Sequence, residues 1–195
     1  MSDKPLVGKK IAILVADGFE QVELTGPREA LDAAGADTSI LSLKPGQVRA
    51  WKFTEWGEQF PVDMVVERAD PAAFDALLLP GGVINPDVLR MSQTAMAFVR
   101  HFFDTNKPVA SICHGPWSIV EVGAARGRRM TSWPSIRTDL RNAGARVVDE
   151  AVIVDGNIVT SRKPDDVEAF TGAVIDLIES APEVSEISNP HELPA

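Results

Sequence analysis

Residues 11–16, IAILVA, form an unbroken apolar run that stops at Asp17-Gly18. A short apolar run without polar alternation predicts a strand buried on both faces. The period then changes. Leu24, Ala30, Leu31 and Ala34 recur at helical spacing and Gly35 follows, so residues 23–34 are predicted as a helix closed by glycine. Residues 38–43, TSILSL, predict a second strand. From 47 to 66, Trp51, Phe53, Phe60, Val62, Val65 and Val66 are broken by Gly57 and Pro61, which predicts hairpin-like pieces.

The alternation continues down the chain. Residues 75–79, DALLL, run into Pro80-Gly81-Gly82, and residues 108–112 run into Cys113-His114-Gly115. Helices are predicted over 92–103, 116–125, 135–143 and 164–178. Short strands are predicted at 147–148, 152–154 and 158–160, with Asp155-Gly156-Asn157 as a turn. Residues 1–180 then read as one α/β domain. Residues 181–195, APEVSEISNPHELPA, read as a polar, proline-rich tail expected to pack loosely or be disordered. Apolar strands alternating with helices predict an α/β sandwich with a mostly parallel central sheet and helices on both faces. Sites in such sheets form beyond the carboxyl ends of the strands. Three strands end in ADGFE, PGG and CHG, and these turns are expected to converge on one crevice.

Composition narrows the function. The chain of 195 residues carries a formal net charge of −9. That surface repels phosphate backbones and anionic lipid, so neither nucleic acid nor membrane is an expected partner. The first ten residues lack the apolar core of a secretory signal, and no apolar run approaches the ~20 residues of a membrane span. A cytoplasmic location is expected. One cysteine forms no internal disulfide, which fits a reducing compartment. No metal-ligand spacing and no nucleotide-binding glycine motif is present, so neither a metal nor a cofactor is expected.

Ser111-Ile112-Cys113-His114-Gly115 has the form small-x-nucleophile-x-glycine. In α/β enzymes that pattern marks a tight strand-to-helix turn that lifts a nucleophile above the sheet. Small residues on either side let strand and helix approach. The N–H groups of the following helix favour a thiolate, so a lowered thiol pKa is expected. The alternative is a buried thiol acting as a small hydrophobe. His114 is the neighbouring base candidate. The other two histidines, His101 and His191, read as surface residues. Trp117 reads as a packing residue, and Arg126 to Arg129 as a solvated loop.

Together, VASICHGPW, LLLPGG, DGFEQVEL, GRRMTSWPSIRTDLRNAGA and VVDEAVIVDGNIVTSRKPDD resemble the PfpI family of intracellular cysteine hydrolases, within the superfamily of the Parkinsonism-associated deglycase and the class I glutamine amidotransferase domains. The resemblance runs over residues 9–180. It implies a flavodoxin-like sandwich with Cys113 at the elbow and His114 beside it. It also implies that Glu20 supplies a carboxyl close to the sulfur and that Gly81 and Gly82 shape an oxyanion site, with the His114 amide as second donor. By the same likeness Asp87 is a third triad member, donated to the histidine across a subunit contact, so a homodimer or hexamer is implied. For Glu20 the alternative is a solvent-facing carboxylate at a helix N-terminus, a place Glu23 could take as well. For Asp87 it is a helix cap.

An activated thiol, a histidine and oxyanion donors suit addition to an electrophilic carbonyl. The expected activity is stress-linked carbonyl detoxification of the glyoxalase or deglycase type, on methylglyoxal or glycation adducts. Peptide hydrolysis is the second enzymatic reading, and a redox-sensing or chaperone-like protein is the reading from another class.

Overall fold

A computed structural model of the chain describes residues 4–182. The strands are β1 (Lys10–Leu14), β2 (Asp37–Ser42), β3 (Gln47–Lys52), β4 (Glu55–Pro61), β5 (Met64–Val65), β6 (Ala76–Leu79), β7 (Val109–Ile112), β8 (Arg129–Met130), β9 (Arg146–Val147), β10 (Val152–Asp155) and β11 (Ile158–Ser161). The helices are α1 (Gln21–Ala33), α2 (Ile84–Arg90), α3 (Gln93–Asp104), α4 (Pro116–Glu121), α5 (Arg137–Asn142) and α6 (Val167–Ser180).

Seven strands form the central sheet in the order β10-β11-β7-β6-β1-β2-β5. Every pairing is parallel except β10 with β11. This is the flavodoxin-like sandwich expected from the sequence. Side chains alternate across each strand, so an all-apolar run feeds two cores at once. Ile11 and Ile13 pack with Leu24 and Leu31 of α1 and with Phe170, Val174 and Ile178 of α6. Ala12 and Leu14 face the opposite way, toward Phe98, Val99 and Phe102 of α3 and Ile119 of α4.

The strand β3 turns into β4 as an antiparallel hairpin outside the main sheet. The isolated bridge between Glu20 and Trp51 ties it to the start of α1. Two helices depart most from expectation. Helix α4 stops at Glu121 because Gly123 adopts φ 69°, a left-handed stop that glycine takes without steric cost. Helix α2 begins at Ile84, directly after Gly81-Gly82, so Asp87 stands within its first turn and is not the cap the alternative reading made it. Residues 183–195, with most of the predicted tail and His191, lie outside the described residues. Among the described residues no helix is long and apolar enough to cross a membrane.

Candidate active site

The carboxyl ends of β1, β6 and β7 bring their three turns together, as the sequence predicts. Cys113 is the first residue after β7 and adopts φ 61°, in the left-handed region. A non-glycine residue there costs about 1–3 kcal/mol and needs support. The support is visible on both sides. The Cys113 N–H donates to the Ser161 carbonyl at 3.1 Å, and the Cys113 carbonyl accepts from the Trp133 N–H at 2.9 Å. A side chain at Gly115 would place its Cβ 2.4 Å from the Leu79 carbonyl oxygen, so the elbow requires glycine there.

The carboxyl at the sulfur belongs to Glu23, which corrects the expectation for Glu20. Helix α1 begins at Gln21, so Glu20 is still extended backbone while Glu23 stands in the first turn, over the end of β6. Glu23 is fully buried, and its Oε2 accepts the Gly81 N–H at 2.8 Å. A Cβ built on Gly81 would lie 2.6 Å from both Glu23 Oε2 and Cys113 Cβ, so the carboxyl and the thiol flank the same glycine. Glu20 instead lies in the pocket wall, where its Oε2 accepts the Phe53 N–H at 3.3 Å.

The glycines divide their labour. Gly81 is not free to serve an oxyanion, because Glu23 takes its N–H. The N–H groups of Gly82 and His114 face the sulfur. These two remain as the free N–H groups beside the sulfur.

His114 does reach the sulfur, although adjacent residues on a regular helix would not face each other. The left-handed turn at Cys113 swings the two side chains together, leaving Sγ 3.2 Å from His114 Nδ1. On the far side of the ring, Nε2 lies 3.2 Å from Ser135 Oγ. Trp133 stacks on the imidazole with centroids 5.8 Å apart, and Trp117 meets it edge-on at 5.4 Å. Trp117 is further fixed by its indole N–H, which donates to Asp139 at 2.8 Å.

Asp87 is not brought to His114 within the chain. It lies exposed on α2, beside a separate surface hollow lined by Arg90, Met91, Gln93, Met96 and Glu121. His101 is half-buried, edge-on to Phe102 and away from the site. The basic cluster is engaged: Arg128 bonds the Asp155 carbonyl and Asn157, and Arg129 pairs with Glu150.

Burial sets the protonation states. It pushes the Glu23 carboxyl up to about 8, against the pull of the Gly81 N–H and the thiol. It pushes His114 down to about 4, so the ring is a free base at neutral pH. The Cys113 thiol is raised rather than lowered as expected, first by burial and then by the charge of Glu23, with the Gly82 and His114 N–H groups pulling the other way. Burial also raises Glu20, partly offset by the Phe53 N–H. The resting pair is therefore a neutral thiol beside a neutral imidazole. The thiol proton has an acceptor at Nδ1 once the sulfur begins to form a bond.

Above the sulfur opens a cavity of about 360 Å³. Its rim carries Trp51 and Phe53 from the β3–β4 hairpin, Val83 and Ile84 after the PGG turn, and Trp133. Trp51, Phe53, Trp133 and Ser135 escaped the sequence reading as site residues. The signal for the last two was present: TSWPS follows a short strand and is polar at a point where the core would want apolar residues.

Comparison with known proteins identifies the family and the fold. A sequence profile described as the DJ-1/PfpI family matches residues 9–177. The deglycase TK1284 of Thermococcus kodakarensis is 40% identical over 169 residues, covering 87% of this chain and 99% of that protein. A two-domain protein of Anabaena variabilis, with a DJ-1/ThiJ/PfpI-like and a ferritin-like domain, superposes with a TM-score of 0.81 at 34% identity. That match covers 86% of this chain and 47% of the longer one. Drosophila melanogaster DJ-1beta superposes with a TM-score of 0.80 at 25% identity, over 89% of this chain and 91% of that one.

Proposed function

The chain belongs to the DJ-1/PfpI family, and from that premise we propose that it is a cysteine-dependent enzyme acting on small reactive carbonyls, with methylglyoxal or an early glycation adduct as substrate and a stress-protective role. The observation that carries the reading is the contact between Cys113 Sγ and His114 Nδ1 at the floor of a cavity of about 360 Å³. A cavity of that size suits a small aldehyde better than an extended peptide, which disfavours proteolysis.

In this reading Sγ attacks the aldehyde carbon of an α-oxoaldehyde while its proton passes to His114 Nδ1. The carbonyl oxygen becomes an alkoxide within reach of the Gly82 and His114 N–H groups, then takes the proton from the imidazolium. The product is a hemithioacetal, and His114 is a free base again. It removes the hydrogen on C1, and the resulting enediol is reprotonated at C2. C1 is oxidised to a thioester and C2 reduced to a hydroxyl group, so no external oxidant is needed. Water then cleaves the thioester, releasing the 2-hydroxy acid and the thiol. Protonated Glu23 supports these steps by keeping a second negative charge away from the sulfur. Asp87 takes part only from a second copy of the chain, since Ser135 fills the position beyond Nε2 within one chain.

Lactate production from methylglyoxal by the purified protein tests the reading. Activity in the wild type that is lost in Cys113→Ala supports it. A wild type that forms no lactate, or a Cys113→Ala variant as active as the wild type, overturns it.

A further inference from the structure

The mechanism leaves one ionisable group of the cavity unused. Glu20 stands in the wall with 8% of its surface exposed, and the only hydrogen bond its carboxylate accepts among the described residues is the long one from Phe53. It forms no ion pair among the described residues. No lysine or arginine lines the cavity. The rings of Trp51, Phe53 and Trp133 line the same cavity.

Each of these facts points the same way. A mostly buried carboxylate without a cation is costly, and a positively charged ligand removes that cost. Aromatic faces attract cations through their quadrupole. An anionic ligand would meet the Glu20 charge with nothing to offset it. Glu23 does not supply this charge: it is sealed beneath Gly81 and holds its proton at neutral pH.

We propose that the cavity selects substrates bearing a protonated amine or guanidinium near the reacting carbon over neutral ones, and neutral over carboxylate-bearing ones, with Glu20 as the residue that makes the selection. The inference rests on Cys113 being the reacting atom. It adds a substrate class to the site, cationic carbonyl compounds, and assigns Glu20 a role in specificity rather than at the sulfur.

The test uses three methanethiosulfonates of matched size, carrying 2-aminoethyl, 2-hydroxyethyl and 2-sulfonatoethyl groups. Each forms a mixed disulfide and releases methanesulfinate, and Cys113 is the lone cysteine, so the labelled site is unambiguous. Every rate is divided by that of the same reagent with a small free thiol. The aminoethyl reagent is expected to exceed the hydroxyethyl one by about tenfold, and the sulfonate to trail it by a similar factor. In Glu20→Gln the three normalised rates should fall within about threefold of one another. That substitution removes one negative charge, moving the net charge only from −9 to −8, so the field of the whole molecule is nearly kept. Glu20→Asp, which retains the charge, should keep the order. Equal normalised rates in the wild type, or an order that survives in Glu20→Gln, overturn the inference while leaving Cys113 as nucleophile. Failure of all three reagents to label Cys113 in folded protein overturns the nucleophile reading itself.

Discussion

The hydroxyl oxygen of Ser135 lies 3.2 Å from Nε2 of His114, on the side of the ring away from the sulfur. A hydroxyl both donates and accepts, so it can serve the imidazole whichever nitrogen carries the proton. A carboxylate in that position would hold the proton on Nε2. The proposed reaction needs His114 to take a proton and return it at Nδ1, so Nε2 keeps its proton throughout and Ser135 Oγ accepts from it.

Ser135→Ala should therefore reduce kcat for methylglyoxal about tenfold, less than the roughly 10²–10⁴ of losing the acid–base group itself because Ser135 only positions it, with little change in KM. Because Ser135 acts through His114, the 15N shifts of the imidazole should move as the Nε2–H tautomer loses its acceptor. Ser135→Thr, which keeps the hydroxyl, should restore both. Unchanged imidazole shifts in the alanine variant would show that the hydroxyl does not govern the ring.

A buried carboxyl with a raised pKa leaves a signature in stability. Glu23 moves from an ordinary value of 4.5 up to about 8. Between those values the folded state binds more protons than the unfolded chain, so stability is complete below the unfolded pKa and is lost as pH rises toward 8. His114, held down near 4, acts with the opposite sign, but only below about 6.5, the ordinary histidine value. From pH 6.5 to 8 the Glu23 effect stands alone of the two, with a slope of up to about 1.4 kcal/mol per pH unit. Glu23→Gln keeps an acceptor for the Gly81 N–H and abolishes the slope. Relative to this variant, the wild-type Tm should fall by roughly 3–6 °C across that window. A Tm difference that stays flat with pH would mean that Glu23 does not carry its proton to neutrality.

Much of this arrangement was legible in the sequence. The run IAILVA predicted a strand buried on both faces, and Ile11 and Ala12 do feed opposite cores. The nucleophile turn was legible because its needs are local: a small residue before Cys113, a glycine after it, and a strand leading in. The choice between Glu20 and Glu23 was not. They are three residues apart, and which one points at the sulfur depends on α1 starting at Gln21, a boundary that local pattern fixes poorly. Trp51 and Phe53 were hidden for another reason. They reach the cavity from a hairpin outside the main sheet, so the topological rule that gathers strand ends says nothing about them. The direction of the thiol pKa was not legible because it turns on the burial of Cys113, which tertiary packing decides and local sequence does not.

Gly82 joins these threads, because the close approach of two turns depends on it. It adopts φ 75°, and a Cβ there would lie 2.2 Å from the Gly18 carbonyl oxygen and 2.8 Å from the Glu20 nitrogen. Both contacts are to backbone, which cannot swing aside as a side chain can. Gly82→Ala must therefore push the PGG turn away from the turn after β1, and the Gly82 N–H moves off the sulfur with it. The expected loss in kcat/KM is about 10²–10³, as for removal of one oxyanion donor. Gly46→Ala separates this clash from simple backbone strain. Gly46 also has a positive φ, 104°, but nothing lies within 4 Å of a Cβ there. That variant should lose only about 1 kcal/mol of stability and keep full activity. A Gly82→Ala protein that turns over substrate like the wild type would remove Gly82 from the donors and leave the His114 N–H alone at the oxyanion.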